Sequence, residues 1–202
     1  GRTFTPCYNA HQLHGTLMGA AETMSYQTIR VRQVVDWGAA IRAGFIAGVL
    51  FLLTNLILFG VIYGVNGWVL IRHLASVVLG EGILSPPATF DSVGLVVGLL
   101  THFALSIVYA LLIAYVVHRG GLISGIVGGA LLGLAFYTIN VYTLTLFRPW
   151  LYSLNSGVFV LSHLVFGALA GGVYEALEEE VFIPIEQEDT QESTLVETEV
   201  QP

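Results

Sequence analysis

Two histidines stand inside otherwise oily stretches of this chain, each directly behind a hydroxyl residue: Thr101-His102 and Ser162-His163. Each pair follows an earlier apolar stretch that carries a lone amide, Asn55 or Asn140. An imidazole or an amide in hydrocarbon is costly, and it is kept where it has a partner or a task. Two tasks suit these residue types. Neutral imidazoles on neighbouring helices can ligate the iron of a b-type haem from opposite faces. Gly98 and Gly167, each four positions from a histidine, would help to form the slot such a cofactor needs. The same imidazoles can instead bond to neighbouring helices, with Asn55 and Asn140 as candidate partners. The structural network is the preferred reading; haem b on His102 and His163 is the alternative.

Other chemistry is sparse. Cys7, His11 and His14 would place three metal ligands on one face if Pro6 opens a helix, but a fourth ligand is missing. Cys7 is the sole cysteine, so an intramolecular disulfide is excluded. Coupled transport commonly uses carboxylates within the membrane. Here Asp36, Asp91 and Glu175 sit at the ends of apolar stretches and none lies in a centre, which argues against a proton- or sodium-coupled carrier. Phosphate loops, nucleophile elbows and paired catalytic carboxylates are missing from the sequence. No catalytic residue is therefore assigned, and the chain is read as a non-enzyme.

The elements that must hold these residues are membrane helices. Apolar residues make up 55% of the chain and charged residues only 10%, against about 25% charged in soluble domains; mean hydropathy is +0.77. Four stretches reach the roughly 20 residues that a bilayer crossing requires: Ala39–Tyr63, Val93–Val117, Leu122–Phe147 and Gly157–Tyr174. A soluble helical core would show polar faces, yet Ala43–Leu53 has no polar side chain. The expected fold class is an all-α integral membrane four-helix bundle.

Charge places the chain in its membrane. All seven basic residues are arginine. Arg30, Arg32, Arg42 and Arg119 fall on the side of the amino terminus, and Arg72 and Arg148 on the other, so both termini are expected in the cytoplasm. The net charge of −7 is concentrated at one end: from Glu175 onward there are ten acids and no base, leaving seven Arg against four acids before it. This composition reads as an acidic flexible tail over residues 177–202, and it offers no nucleic-acid-binding surface. Residues 1–35 read as a polar arm with a short helix around Leu13–Tyr26; they lack a signal-peptide core, so the first span is expected to insert uncleaved. The membrane domain is residues 36–176.

Asp36 before Trp37 gives a helix cap beside an interfacial aromatic. Gly44 and Gly48 form a small-residue motif suited to close packing within the chain. Between the first two spans, Gly67–Gly80 places Arg72, His73 and Ser76 on one face, as in an interfacial helix lying on the outer surface. His118-Arg119-Gly120-Gly121 is too short for anything but an antiparallel hairpin between spans two and three. A repeat is visible as well. Spans one and three carry Asn in their outward halves, the connections after them carry Trp and Arg and end in Asp91-Ser92 or Asn155-Ser156, and the following spans carry hydroxyl-His and then Tyr109 or Tyr174. This is the pattern of two tandem hairpins.

A resemblance follows from ordered motifs: Trp37-Gly-Ala-Ala-Ile-Arg-Ala-Gly44, Gly82-Ile-Leu-Ser-Pro-Pro-Ala-Thr-Phe-Asp91, His102-Phe-Ala-Leu-Ser-Ile-Val-Tyr109, Asn140-Val-Tyr142, Pro149-Trp150 and His163-Leu-Val-Phe-Gly167. Over Asp36–Ala176 the chain resembles a family of short bacterial four-helix membrane proteins often labelled "sodium:proline symporter". The resemblance implies the four-helix fold and a bacterial inner membrane, and it carries no established activity. Genuine symporters of that name are several times longer. The function expected is that of an accessory subunit, packed in the bilayer against other membrane subunits of a larger complex, respiratory or photosynthetic. A small oligomeric channel or carrier, with His102 and His163 on its path, and a haem-binding electron carrier are the alternatives.

Overall fold

The computed structural model describes residues 31–179 and 181–184. Cys7, His11, His14, the expected helix around Leu13–Tyr26 and the tail beyond Pro184 lie outside the described residues. The described residues fall into two compact units, a larger one over residues 35–179 and a smaller one of residues 31–34 and 181–184. In the smaller, β1 (Val31–Val34) pairs antiparallel with β2 (Val181–Pro184), Val31 opposite Pro184 and Val34 opposite Val181. The arm and the tail, read separately in the sequence, are thus joined by a short ladder. Four-residue segments such as V-R-Q-V and V-F-I-P have strand-favouring composition but are too short to stand out beside long helices.

The larger unit is an all-α bundle of four helices long and apolar enough to cross a membrane, which makes the chain a multi-pass membrane protein. These are α1 (Trp37–Tyr63), α3 (Ser92–Val117), α4 (Leu122–Thr138) with its continuation to Leu146, and α5 (Gly157–Leu177); the short α2 (Gly67–Leu79) lies between the first two spans. Their ends are written locally. Asp36 caps α1 by accepting from the Ala39 amide at 2.9 Å, Asp91 caps α3 through Gly94 at 2.7 Å, and Ser156 caps α5 through Phe159 at 3.2 Å. Each accepts from one of the amide protons that a helix start leaves without a partner. The Ala39 amide holds the Asp36 carboxyl below its ordinary range, reinforced by the Glu179 and Gly38 amides and by the Arg42 guanidinium, which stands 3.9 Å away. Gly64 closes α1 at φ 65°, a conformation that favours glycine.

The spans form a ring in the order α1, α3, α4, α5, with every neighbour antiparallel and the α4–α5 contact the most extensive. Apolar burial drives nothing when the solvent is lipid, so close packing and interhelical hydrogen bonds must hold the ring. Glycine supplies the packing. Gly125 lies against Gly171, and Gly129 against Gly167, so near that a Cβ on either side would run into the opposite carbonyl. On the other hairpin, a Cβ at Gly44 would sit 2.8 Å from the Ala110 Cβ, and one at Gly48 would sit 2.9 Å from that of Ser106. The Gly44/Gly48 motif is therefore used within the chain, as expected.

Candidate functional site

A cavity of about 60 Å³ lies among the spans. Its polar lining comes from three elements: His102, Ser106 and Tyr109 of α3, Asn140 beyond the end of α4, and His163 of α5. Phe51 of α1 and Phe159 and Phe166 of α5 form aromatic walls, and Leu74 of α2 reaches in from outside the four spans. His102 and His163, offset by several residues within their spans, thus face one space. His102, Ser106 and Tyr109 recur at spacings of four and three, which puts them on one helical face.

The hydrogen bonds fix a chain with a direction. Tyr109 O–H donates to Asn140 Oδ1 at 2.6 Å. The Asn140 amide nitrogen lies 3.1 Å from His163 Nε2, and His163 Nδ1 lies 2.8 Å from the Phe159 carbonyl. A carbonyl only accepts, so the proton of His163 is on Nδ1, and Nε2 accepts from Asn140. Both ring nitrogens are then in use. His102 has the opposite tautomer: Nε2 lies 2.9 Å from the Gly48 carbonyl of α1 and donates to it, leaving Nδ1 as a lone pair. Phe51 stands against both rings, stacked on His102 at 5.7 Å and edge-on to His163 at 4.9 Å between centroids.

Asn140 reaches the cavity because α4 is irregular there. The helix gives way to a π turn over Ile139–Thr143 and a 3₁₀ turn over Leu144–Leu146. Thr138 and Thr145 return their hydroxyls to the carbonyls of Leu134 and Val141, at 3.1 and 2.7 Å. Such back-bonding bends helices, and single π turns often occur at functional sites. The run Thr138-Ile-Asn-Val-Tyr-Thr-Leu-Thr145 carries this signal in its hydroxyl and β-branched residues.

The expected polar set comes together only in part. His102, Asn140 and His163 share the cavity, whereas Asn55 is not among its lining residues. Asn55 Nδ2 donates to Phe51 O within its own helix at 2.8 Å, and its buried Oδ1 has no partner among the described residues. The partner of His102 is thus the backbone of α1 at Gly48, exposed to bonding because that position has no side chain. Sequence reading missed Ser106 and the role of Tyr109 as the donor that orients Asn140; their helical spacing from His102 was the available signal. It also missed Tyr137 O–H donating to Asn155 Oδ1 at 2.6 Å, which ties α4 to the cap region of α5.

The polar face of α2 is turned inward at two of its three residues, and His73 is half-buried. Arg72 and Ser76 are buried. Arg72 Nη1 donates to the Ser85 and Pro87 carbonyls at 2.9 and 3.1 Å, Trp150 Nε1 donates to Ser76 Oγ at 3.0 Å, and Arg148 Nε donates to the Val77 carbonyl at 3.3 Å. These side chains bind the connection after α1 to the connection before α5, since a packed helix can satisfy backbone carbonyls that the loops leave open. This fastening seats Leu74 over the cavity.

The glycines considered for a haem slot are occupied. A Cβ at Gly98 would meet the Ile71 carbonyl of α2 at 2.7 Å, and Gly167 lies against Gly129. To bind iron, His163 Nε2 would have to release Asn140. Among the described residues no group of three or more His, Cys, Asp or Glu is placed to hold a metal ion. No family model, curated protein or solved structure matches the chain.

Proposed function

We propose that this chain is a non-enzymatic accessory subunit that stabilises or assembles a larger membrane complex, respiratory or photosynthetic, in a bacterial inner membrane with both termini cytoplasmic. One observation carries the reading: the intramembrane polar chain from Tyr109 through Asn140 and His163 terminates on a backbone carbonyl. A hydrogen-bond chain of this kind holds helices in register. It presents neither an activated nucleophile nor a general base toward a substrate. An amide in its middle also interrupts proton passage between Tyr109 and His163.

The outward surface supports the same reading. Only 22% of the most apolar window of α1 is buried within the chain, against 50% for α5, so α1 is the span with the most surface left for lipid or a neighbouring subunit. Affinity purification from native membranes in mild detergent tests the proposal. Defined partner subunits should co-purify in fixed ratio, and a stable lone monomer would overturn it. The family resemblance, which brings no activity, is compatible with this role.

The cavity between the histidines favours a second reading, a small oligomeric channel or carrier. Its test is solute flux into proteoliposomes: flux that is abolished by His102→Ala supports it, and flux equal to empty liposomes removes it. Haem binding is tested by the absorption spectrum of the purified protein, in which we expect no Soret band.

A further inference from the structure

His102 and Ser106 stand one turn apart on α3, line the same cavity, and are each 4% exposed. Residues four apart on a helix are neighbours on its surface. The ring proton of His102 is used on Gly48 O, which leaves Nδ1 as an acceptor. Ser106 Oγ has a proton to give and lone pairs to fill, and it lies on the lining of the cavity beside Gly48 of α1. Polar groups that line an interior space are satisfied by protein or by ordered water. The space suits water, since one molecule needs roughly 10–15 Å³ of such volume and the cavity offers about 60 Å³.

The chemistry narrows the occupant further. The residues lining the cavity include no carboxylate. A bare cation would therefore lose its hydration without gaining a countercharge. The unfilled groups are mainly acceptors: His102 Nδ1, the second lone pair of Asn140 Oδ1, and the Tyr109 oxygen, whose proton is already given away. A very small neutral donor fits, and water is that donor.

We propose that the cavity is a water-binding site in which one molecule bridges Ser106 Oγ and His102 Nδ1, with the rest of the space toward Tyr109 and Asn140 large enough for further molecules. His102 is the buried imidazole in contact with this water. His163 is sealed from it, because Asn140 and Phe159 close both of its nitrogens. The site stands independently of the accessory-subunit reading, since it rests on lining and hydrogen bonding alone.

Water-to-protein magnetisation transfer in solid-state NMR tests it on the full chain in lipid bilayers, with ¹⁵N-histidine, ¹³C-serine and ¹³C-valine labels. His102 Nδ1 and Ser106 Cβ should gain signal from water several-fold faster than the fully buried Val141, with His163 lagging behind His102. Transfer to His102 no faster than to Val141, or transfer from lipid acyl protons instead, would overturn the site. Ser106→Ala adds no bulk and removes one anchor of the bridge, so the His102 Nδ1 resonance should shift; an unmoved resonance would overturn the bridging arrangement.

Discussion

Asn140 is the residue on which the interior depends, because it accepts a hydrogen bond from Tyr109 on one side and donates one to His163 on the other. Tyr109→Phe removes one interhelical bond and should cost about 0.6–1.7 kcal/mol. Asn140→Leu removes both and leaves His163 Nε2 with no donor, so its loss should exceed that of Tyr109→Phe in reversible unfolding from bicelles; equal losses would show that the chain is not coupled. The two tautomers give a sharper check. Histidine ¹⁵N shifts should report His102 protonated on Nε2 and His163 on Nδ1. Asp36 supplies the pH dependence. Its carboxyl titrates below the ordinary range when folded, so its contribution is complete above about pH 4 and is lost as pH falls through the lower folded value. Asp36→Ala should cost about 1 kcal/mol at neutral pH, with the difference from the native chain shrinking in acid.

At the scale of elements, the glycine seams decide how the helices meet. Gly129→Ala forces a methyl against the Gly167 carbonyl and should cost about 1–3 kcal/mol in the same unfolding measurement. Gly82→Ala, where nothing lies within 4 Å of an added Cβ, should be near neutral. The seams also bear on the tandem-hairpin pattern. Shifting α1 by 81 residues and α3 by 61 carries the pairs Gly44–Ala110 and Gly48–Ser106 onto Gly125–Gly171 and Gly129–Gly167. The same shifts carry His102 onto His163 but bring Asn55 to Phe136, one turn short of Asn140. The histidines were therefore legible in sequence as equivalents, and the asparagines were not. Their inequivalence has a physical cause. Ser106 occupies the place of Gly167 and spaces α1 from α3, so that His102 can reach the Gly48 carbonyl. The all-glycine seam between α4 and α5 closes that route, and His163 turns to Asn140. Spans and caps were readable because length, hydropathy and Asp or Ser at helix starts are local properties. The inward turn of Arg72 and Ser76 on α2 was not, because it depends on loops 13 to 74 residues away in sequence.

For the molecule as a whole, an even number of spans places the start of α1 and the end of α5 on one face, where Ala39, Ala40 and Tyr174 share the core. Arg42 and Arg119 lie toward that face, and we infer that it is cytoplasmic. Cys7, the only thiol, reports on this directly. A membrane-impermeant maleimide should label it in inverted vesicles and spare it in intact spheroplasts; the reverse pattern would invert the topology. The broad apolar exterior, including Trp37, Phe45, Leu53 and Ile57 along α1, needs either lipid or protein against it. Native mass spectrometry of complexes released directly from native membranes decides between them. The expected result is this chain in a defined complex with other polypeptides; a bare single chain as the only species would contradict the proposed accessory role.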